Sequence, residues 1–184
     1  MDPRRAGVIV AMALATQIGA LRLADRPWVP TEEPLKLWDS DIYGPGSSQH
    51  VLDPYAFSHI CHGLVFYALL MPMYTHSPWR AFVVAALLET TWEILENTVI
   101  APRYVDVTAF RGYEGDTVVN SVADTVMALL GFGLAWYMPW QASIALFLGI
   151  EMLMLIFCRD NLTLNVLMLL APSDLVRNWQ LHKK

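Results

Sequence analysis

Charge is what this sequence has least of: only 16% of its 184 residues are Asp, Glu, Lys or Arg, against about 25% in ordinary soluble domains. Lys and Arg number 12 against 17 acids, a net charge of -5, and no basic patch occurs anywhere. A phosphate backbone would find nothing to hold it, which excludes nucleic acid as a partner. Cysteine is nearly absent as well. Cys61 and Cys158 both lie in or beside apolar runs and make no disulfide framework. What remains is apolar, 55% hydrophobic with mean hydropathy +0.40, in runs separated by short breaks bearing Pro, Gly and charge.

That pattern predicts an all-α fold, a polytopic transmembrane helical bundle of five or six spans in the lipid bilayer. A chain of 184 residues then has no room for a separate soluble domain. The first run, 6–23, follows Arg4 and Arg5, the arrangement of a signal anchor (1–24) with a cytoplasmic N-terminus. A cleaved signal peptide is the alternative; the length of the run and Arg22, placed where cleavage needs small residues, argue against it. Residues 25–53 form a non-cytoplasmic loop rich in Pro, Gly and acid, with Trp28 and Trp38 as interfacial anchors. The bundle proper is 54–176. Asp53-Pro54 and Ser77-Pro78 each place a cap before a first-turn proline, which starts spans at 54–72 and 78–100. After a loop with Pro102, Arg103, Arg111 and Gly112, Asp116 is expected to cap a fourth span ending near Tyr137, and Pro139 opens a fifth reaching Cys158. The run 162–176 is a candidate sixth, tilted span, which would return 177–184, with Lys183 and Lys184, to the cytoplasm. Trp79, Trp136, Trp140 and Trp179 then mark the cytoplasmic boundary.

Within these apolar runs stand Glu89, Glu93 and Glu96. Each carboxylate at a helix centre costs about 2.5–3.5 kcal/mol to insert, so several together imply that they act on one another, on a cation or on a substrate. At about 1.5 Å per residue, His59 and His62 lie roughly 8 and 12 Å inside the non-cytoplasmic end of the second span. Glu96, Glu93 and Glu89 come to similar depths on the third, and Asn120 and Asp124 on the fourth. The other halves, 64–71, 81–88 and 126–135, contain no Asp, Glu, His, Lys or Arg. Facing agrees with depth, since positions three and four apart share a helix face. Glu89, Glu93 and Glu96, continued by Asn97, make one stripe, and Asp116, Asn120 and Asp124, flanked by Ser121, make another. Groups this expensive in lipid turn inward, which predicts a polar cavity open to the non-cytoplasmic side.

Two imidazoles three apart, with carboxylates from neighbouring helices, are ligand types for zinc or a similar divalent ion, with an acid left over as general base. This makes His59 and His62 candidate metal ligands and Glu93, Glu96 and Asp124 candidate catalytic groups, with Glu89, Asn97, Asp116, Asn120, Ser121 and Arg159 as network or substrate contacts. A metal-free variant uses a buried glutamate as acid or base. Ser58, Ser121 and Cys61 are the available nucleophiles. The same residues also have structural readings: Asp116 as a cap, the amides and Ser121 as interhelical hydrogen bonds, Glu151 as a core pair, and Arg103, Arg111 and Arg159 as salt-bridge partners of the glutamates.

Several segments carry a family resemblance: Ser47-Ser48-Gln49-His50; Phe57-Ser58-His59-Ile60-Cys61-His62-Gly63 with Phe66-Tyr67; Trp92-Glu93-Ile94-Leu95-Glu96-Asn97; Gly112-Tyr113 and Gly115-Asp116 with Asn120-Ser121 and Asp124-Thr125; and Arg159-Asp160-Asn161-Leu162-Thr163-Leu164-Asn165. Over 36–180 the chain resembles an uncharacterised bacterial multi-pass inner-membrane protein family with a domain of unknown function, departing from its pattern at 38–46. The resemblance implies an inner-membrane location and a helical fold, and no activity. The acid-rich helix followed by Asp-x3-Asn-x3-Asp is also similar, over two helices, to VanZ-like membrane proteins. Two function classes follow. One is a membrane-embedded hydrolase or transferase acting on a lipid or lipid-linked group from the outer leaflet. The other is a non-catalytic accessory or assembly subunit that binds other membrane subunits. A transporter is disfavoured, because the chain has no repeated halves.

Overall fold

Prolines and short polar caps set where the helices begin. The computed structural model describes residues 1–42, 44, 46–107, 113 and 115–181. Helix α1 is Pro3–Leu23, with the Asp2 carboxylate accepting from the Arg5 amide. Helix α2 is Tyr55–Leu70, and Asp53 accepts from the Tyr55 amide at 2.7 Å. Helix α3 is Pro78–Leu95 and passes through a π-helical turn, Glu96–Ile100, into α4, Ala101–Val107. Then come α5, Val118–Tyr137; α6, Trp140–Cys158; α7, Leu162–Leu170; and α8, Asp174–Leu181. Among the described residues the only β pairing is an isolated bridge between Trp38 and Leu52.

Among the described residues three helices, α1, α5 and α6, are long and apolar enough to cross a membrane. Helix α2 is apolar but has 16 residues, about 24 Å, and α3 carries Arg80, Glu89 and Glu93. Helix α6 exposes Ile144, Leu148, Met152 and Ile156, one per turn, a stripe suited to lipid rather than water.

Close backbone approach holds the centre of the bundle. Helices α2 and α5 cross where Gly63 faces Ala128 and Gly131 faces Ile60, each glycine so near the opposite main chain that a Cβ would overlap a carbonyl oxygen. Removing both side chains lets the helices touch backbone to backbone, the packing that membranes favour in the absence of a hydrophobic drive. Around this crossing the apolar core divides in two. Ile60, Cys61 and Leu64 pack with Ala135, Ile150 and Met154, while Leu70, Ala81 and Ala85 pack with Phe132. Trp79 and Trp136, 5.2 Å between ring centroids, close the second cluster at the end away from the acids.

Four expectations need correcting. The cap of α5 is Thr117, whose hydroxyl accepts from the Asn120 amide; Asp116 is held by other partners, so its side chain is not available to cap. The third span does not run straight to Ile100, because Pro102 has no N–H for the Thr98 carbonyl and the π turn absorbs the mismatch. The run 162–176 is not one helix, since α7 stops at Leu170 before Pro172 and α8 begins at Asp174. Nor does Trp179 lie at the end opposite the acids. Its ring stacks 5.5 Å from the Arg159 guanidinium and Gln180 donates to Asp160, so α8 returns to the end of α6 from which α7 left. Arg111, Gly112, Lys183 and Lys184, to which the sequence assigned loop and tail positions, lie outside the described residues.

Candidate functional site

Three helices bring the predicted residues together because each offers a polar edge over a single pair of turns. Glu89 and Glu93 are fully buried on α3, one turn apart, facing His59 and His62 on α2 and Ser121 and Asp124 on α5. Glu89 Oε1 lies 2.6 Å from His59 Nδ1, and the two Glu89 oxygens lie 3.1 and 3.0 Å from His62 Nδ1. With Glu89 ionised its carboxylate only accepts, which directs the Nδ1–H of each histidine at it and, for a neutral imidazole, leaves the lone pair on Nε2. This is the arrangement by which an acid orients an imidazole that binds a metal or removes a proton elsewhere.

His59 Nε2 faces Asp124 Oδ2 across 3.9 Å, too far for a direct hydrogen bond and wide enough for one bridging atom. Glu93 sits behind: its Oε1 is 3.3 Å from His59 Nδ1, and its Oε2 accepts from the Ser121 hydroxyl at 2.7 Å. The π turn brings Asn97 inward, where its amide donates to the Glu93 carbonyl and, at 2.7 Å, to Asp116. Tyr113 O–H donates to the other Asp116 oxygen at 2.8 Å. Ligand-type atoms of three trios lie within 4.8 Å of one another: His59, His62 and Glu89; His59, Glu93 and Glu96; and Glu93, Asp116 and Asp124.

These groups close one end of a cavity of about 440 Å³. His59, His62, Glu96, Asp116 and Asp124 are in its lining, and Val65, Phe66, Leu88, Leu162, Val166 and Leu169 are among its apolar wall residues. Helix α7 supplies the last three of these. Its position depends on Glu151, which is no core pair: the two carboxylate oxygens accept from the Leu162 and Thr163 amides at 3.0 and 3.1 Å, satisfying the first turn of α7.

Arg159 is not part of the cluster. It adopts a left-handed conformation after α6 and donates to the Trp179 carbonyl, while Arg103 donates to the Leu169 carbonyl, so neither is a lock on the glutamates. Conversely, Gln17 on α1 had no assigned role and is fully buried beside the site. Its amide donates to the Ser121 hydroxyl at 2.8 Å and accepts from the Thr125 hydroxyl at 2.9 Å. A single amide in an otherwise apolar run was the available signal.

The long loop roofs this end. Ser48, Pro27 and Trp28 offer carbonyls to the Thr117, Val118 and Val119 amides, filling the donors that α5 cannot satisfy itself. Asp53 accepts from Ser48 as well as Tyr55, and burial pushes its carboxyl up to about 6. Glu33, Lys36, Asp39 and His50 tie the outer part. Lys36 Nζ bridges Glu33 and Asp39 at 2.7 and 2.9 Å, and His50 Nε2 reaches the same two acids at 3.0 and 3.2 Å. His50 Nδ1 accepts from the Lys36 amide, so Nε2 carries the proton.

Residues 21–182 match the family model described as "Protein of unknown function (DUF2585)". The chain belongs to this family. A UPF0314 protein of Paracoccus denitrificans is 42% identical over 189 residues, covering 98% of this chain and 95% of the relative. Another, from Sphingopyxis alaskensis, is 40% identical over 181 residues, covering 96% and 95%. One from Rhizobium meliloti is 39% identical over 169 residues, covering 91% and 86%. No solved structure matches the chain.

Proposed function

We propose that the protein is a multi-pass enzyme of the bacterial inner membrane, crossing it with α1, α2, α3, α5 and α6. It hydrolyses or transfers a lipid or lipid-linked group reached from the non-cytoplasmic side. The observation that carries this reading is the cavity. A mostly apolar chamber ending on two histidines with free Nε2 atoms has the shape of an amphiphile, with room for an acyl or prenyl segment against Phe66, Leu88 and Val166 and a polar linkage at His59. A structural polar network would not need such a chamber beside it.

In this reading His59 Nε2 takes the proton from a water or substrate hydroxyl held in the gap to Asp124, and the freed oxygen forms a bond to the carbonyl or phosphoryl centre of an ester-type linkage. Glu96, at the cavity wall, gives its proton to the departing oxygen. Glu89 fixes the His59 tautomer and stabilises the imidazolium that forms, and Glu93, anchored by Ser121, limits its swing.

The test is a deletion in a bacterium carrying a relative, with lipids and lipid-linked glycans profiled by mass spectrometry and the strain complemented by wild type, His59→Ala or Glu96→Gln. One amphiphile should accumulate in the deletion and clear only with wild type, since losing a general base lowers turnover about 10²–10⁴-fold. Full clearance by either variant at normal membrane abundance, or an unchanged profile in the deletion, defeats the reading.

A further inference from the structure

The oxygen-rich side of the site leaves several buried polar atoms without a hydrogen-bond partner. Asn120, fully buried on α5, has no hydrogen-bond partner for either side-chain atom. Asp124, one turn further along the same face and 3% exposed, leaves Oδ1 unpartnered, and Ser58 Oγ on α2 is in the same condition. Glu93 Oε1 has no hydrogen bond and only the 3.3 Å approach of His59 Nδ1, a proton already directed to Glu89. Orphaned polar atoms are rare in folded interiors, and each costs about 1–3 kcal/mol when nothing meets it. Several in one place point to a missing ligand.

Its chemistry follows from the donor set. Glu93, Asp116 and Asp124 bring ligand oxygens within 4.8 Å of one another, and no thiolate is among them. Asp116 is oriented by Asn97 and Tyr113, and Glu93 by Ser121, so the oxygens are held in advance. Carboxylate and amide oxygens select hard cations, and two acids with otherwise unused oxygens, Glu93 and Asp124, match a double positive charge. We propose that Glu93, Asp116, Asp124 and Asn120 bind a hard divalent cation of the Mg²⁺, Mn²⁺ or Ca²⁺ class, beside His59. The ion neutralises acids that the two histidines, committed to Glu89 through Nδ1, do not. This site is distinct from the His59 and His62 zinc-type pair, and it stands whether or not the protein is an enzyme.

The experiment is Mn²⁺ titration of the full chain in nanodiscs after chelator treatment, with free Mn²⁺ read by electron paramagnetic resonance. One ion per chain is expected, displaced by excess Mg²⁺ or Ca²⁺. Asp124→Asn should weaken binding more than about tenfold through the lost ligand charge. His62→Ala should leave it within about twofold, and Asn120→Ala, which removes a neutral ligand only, should weaken it by an intermediate factor. The wild-type titration stands alone should Asp124→Asn fail to fold. Absence of binding at millimolar Mn²⁺, or binding that survives Asp124→Asn and is lost in His62→Ala, overturns the proposal. Binding with an unchanged lipid profile in the deletion strain would instead retain the cation and remove the catalytic reading.

Discussion

Replacing Gly131 by alanine tests whether the α2 and α5 crossing sets the site geometry. A Cβ at Gly131 would overlap the Ile60 carbonyl oxygen and lie 2.9 Å from both the carbonyl carbon and Cα of Ile60, whereas ordinary contact begins at 3.4 Å. Those are backbone atoms, so no rotamer change relieves them. The helices must part by more than the roughly 0.5 Å that those two carbon atoms alone require, because the carbonyl oxygen is closer still, and Ile60 adjoins His59. Overpacking of this kind costs about 1–3 kcal/mol, set against roughly 0.5–1 kcal/mol gained by replacing a helical glycine with alanine. The expected net loss is about 1–2 kcal/mol. Gly133, two residues along the same helix, has nothing within 4 Å of the point a Cβ would occupy and serves as the control, with Gly133→Ala neutral or slightly stabilising. Thermal unfolding in one detergent at fixed protein concentration reads the contrast, at roughly 2–4 °C per kcal/mol for a chain of this size. Equal midpoints for the two variants would refute the reasoning, because they differ in little except that backbone contact.

Glu151→Gln removes the charge and one of the two acceptors at the start of α7, which should cost about 0.5–2 kcal/mol locally and speed hydrogen exchange at the Leu162 and Thr163 amides; unchanged exchange there counts against its capping role. The outer loop should loosen in acid. The Lys36 ammonium, then His50, holds Glu33 below its usual 4.5; the Asp41 amide, then Lys36, holds Asp39 below 3.8. Groups with depressed folded values contribute stability that is present above their ordinary values and lost as pH falls through the folded ones. Exchange at Asp39, Val51 and Leu52, corrected for intrinsic rate, should therefore rise below about pH 4. Protection at pH 3 equal to that at pH 7 excludes the cluster as the tether.

The helices were legible because their signals are local. Pro78 and Pro139 mark starts, α2 begins at Tyr55, one residue beyond the expected Pro54, and the apolar runs have helix length. The clustering of His59, His62, Glu93 and Asp124 was legible too, since depth and helical facing depend only on rise and period once the spans are placed. Glu151 and Arg159 were misplaced for a different reason. Each meets a partner supplied by α7 or α8, and where those short helices lie is not encoded in their own periodicity.

By itself, then, the sequence determined a membrane-suited helical chain with its acids and histidines confined to one end of the apolar runs. That follows from composition and spacing, and the insertion penalty leaves few other places for such groups. Only the tertiary structure decided which atom faces which: that both Nδ1 atoms meet Glu89, that His59 Nε2 faces Asp124, that α7 lines the cavity, and that Asn120 is left without a partner. Those are matters of a few tenths of an ångström between different helices. They are set by the glycine crossing of α2 and α5 and by the π turn in α3, where backbone approach and register, rather than residue type, determine what meets.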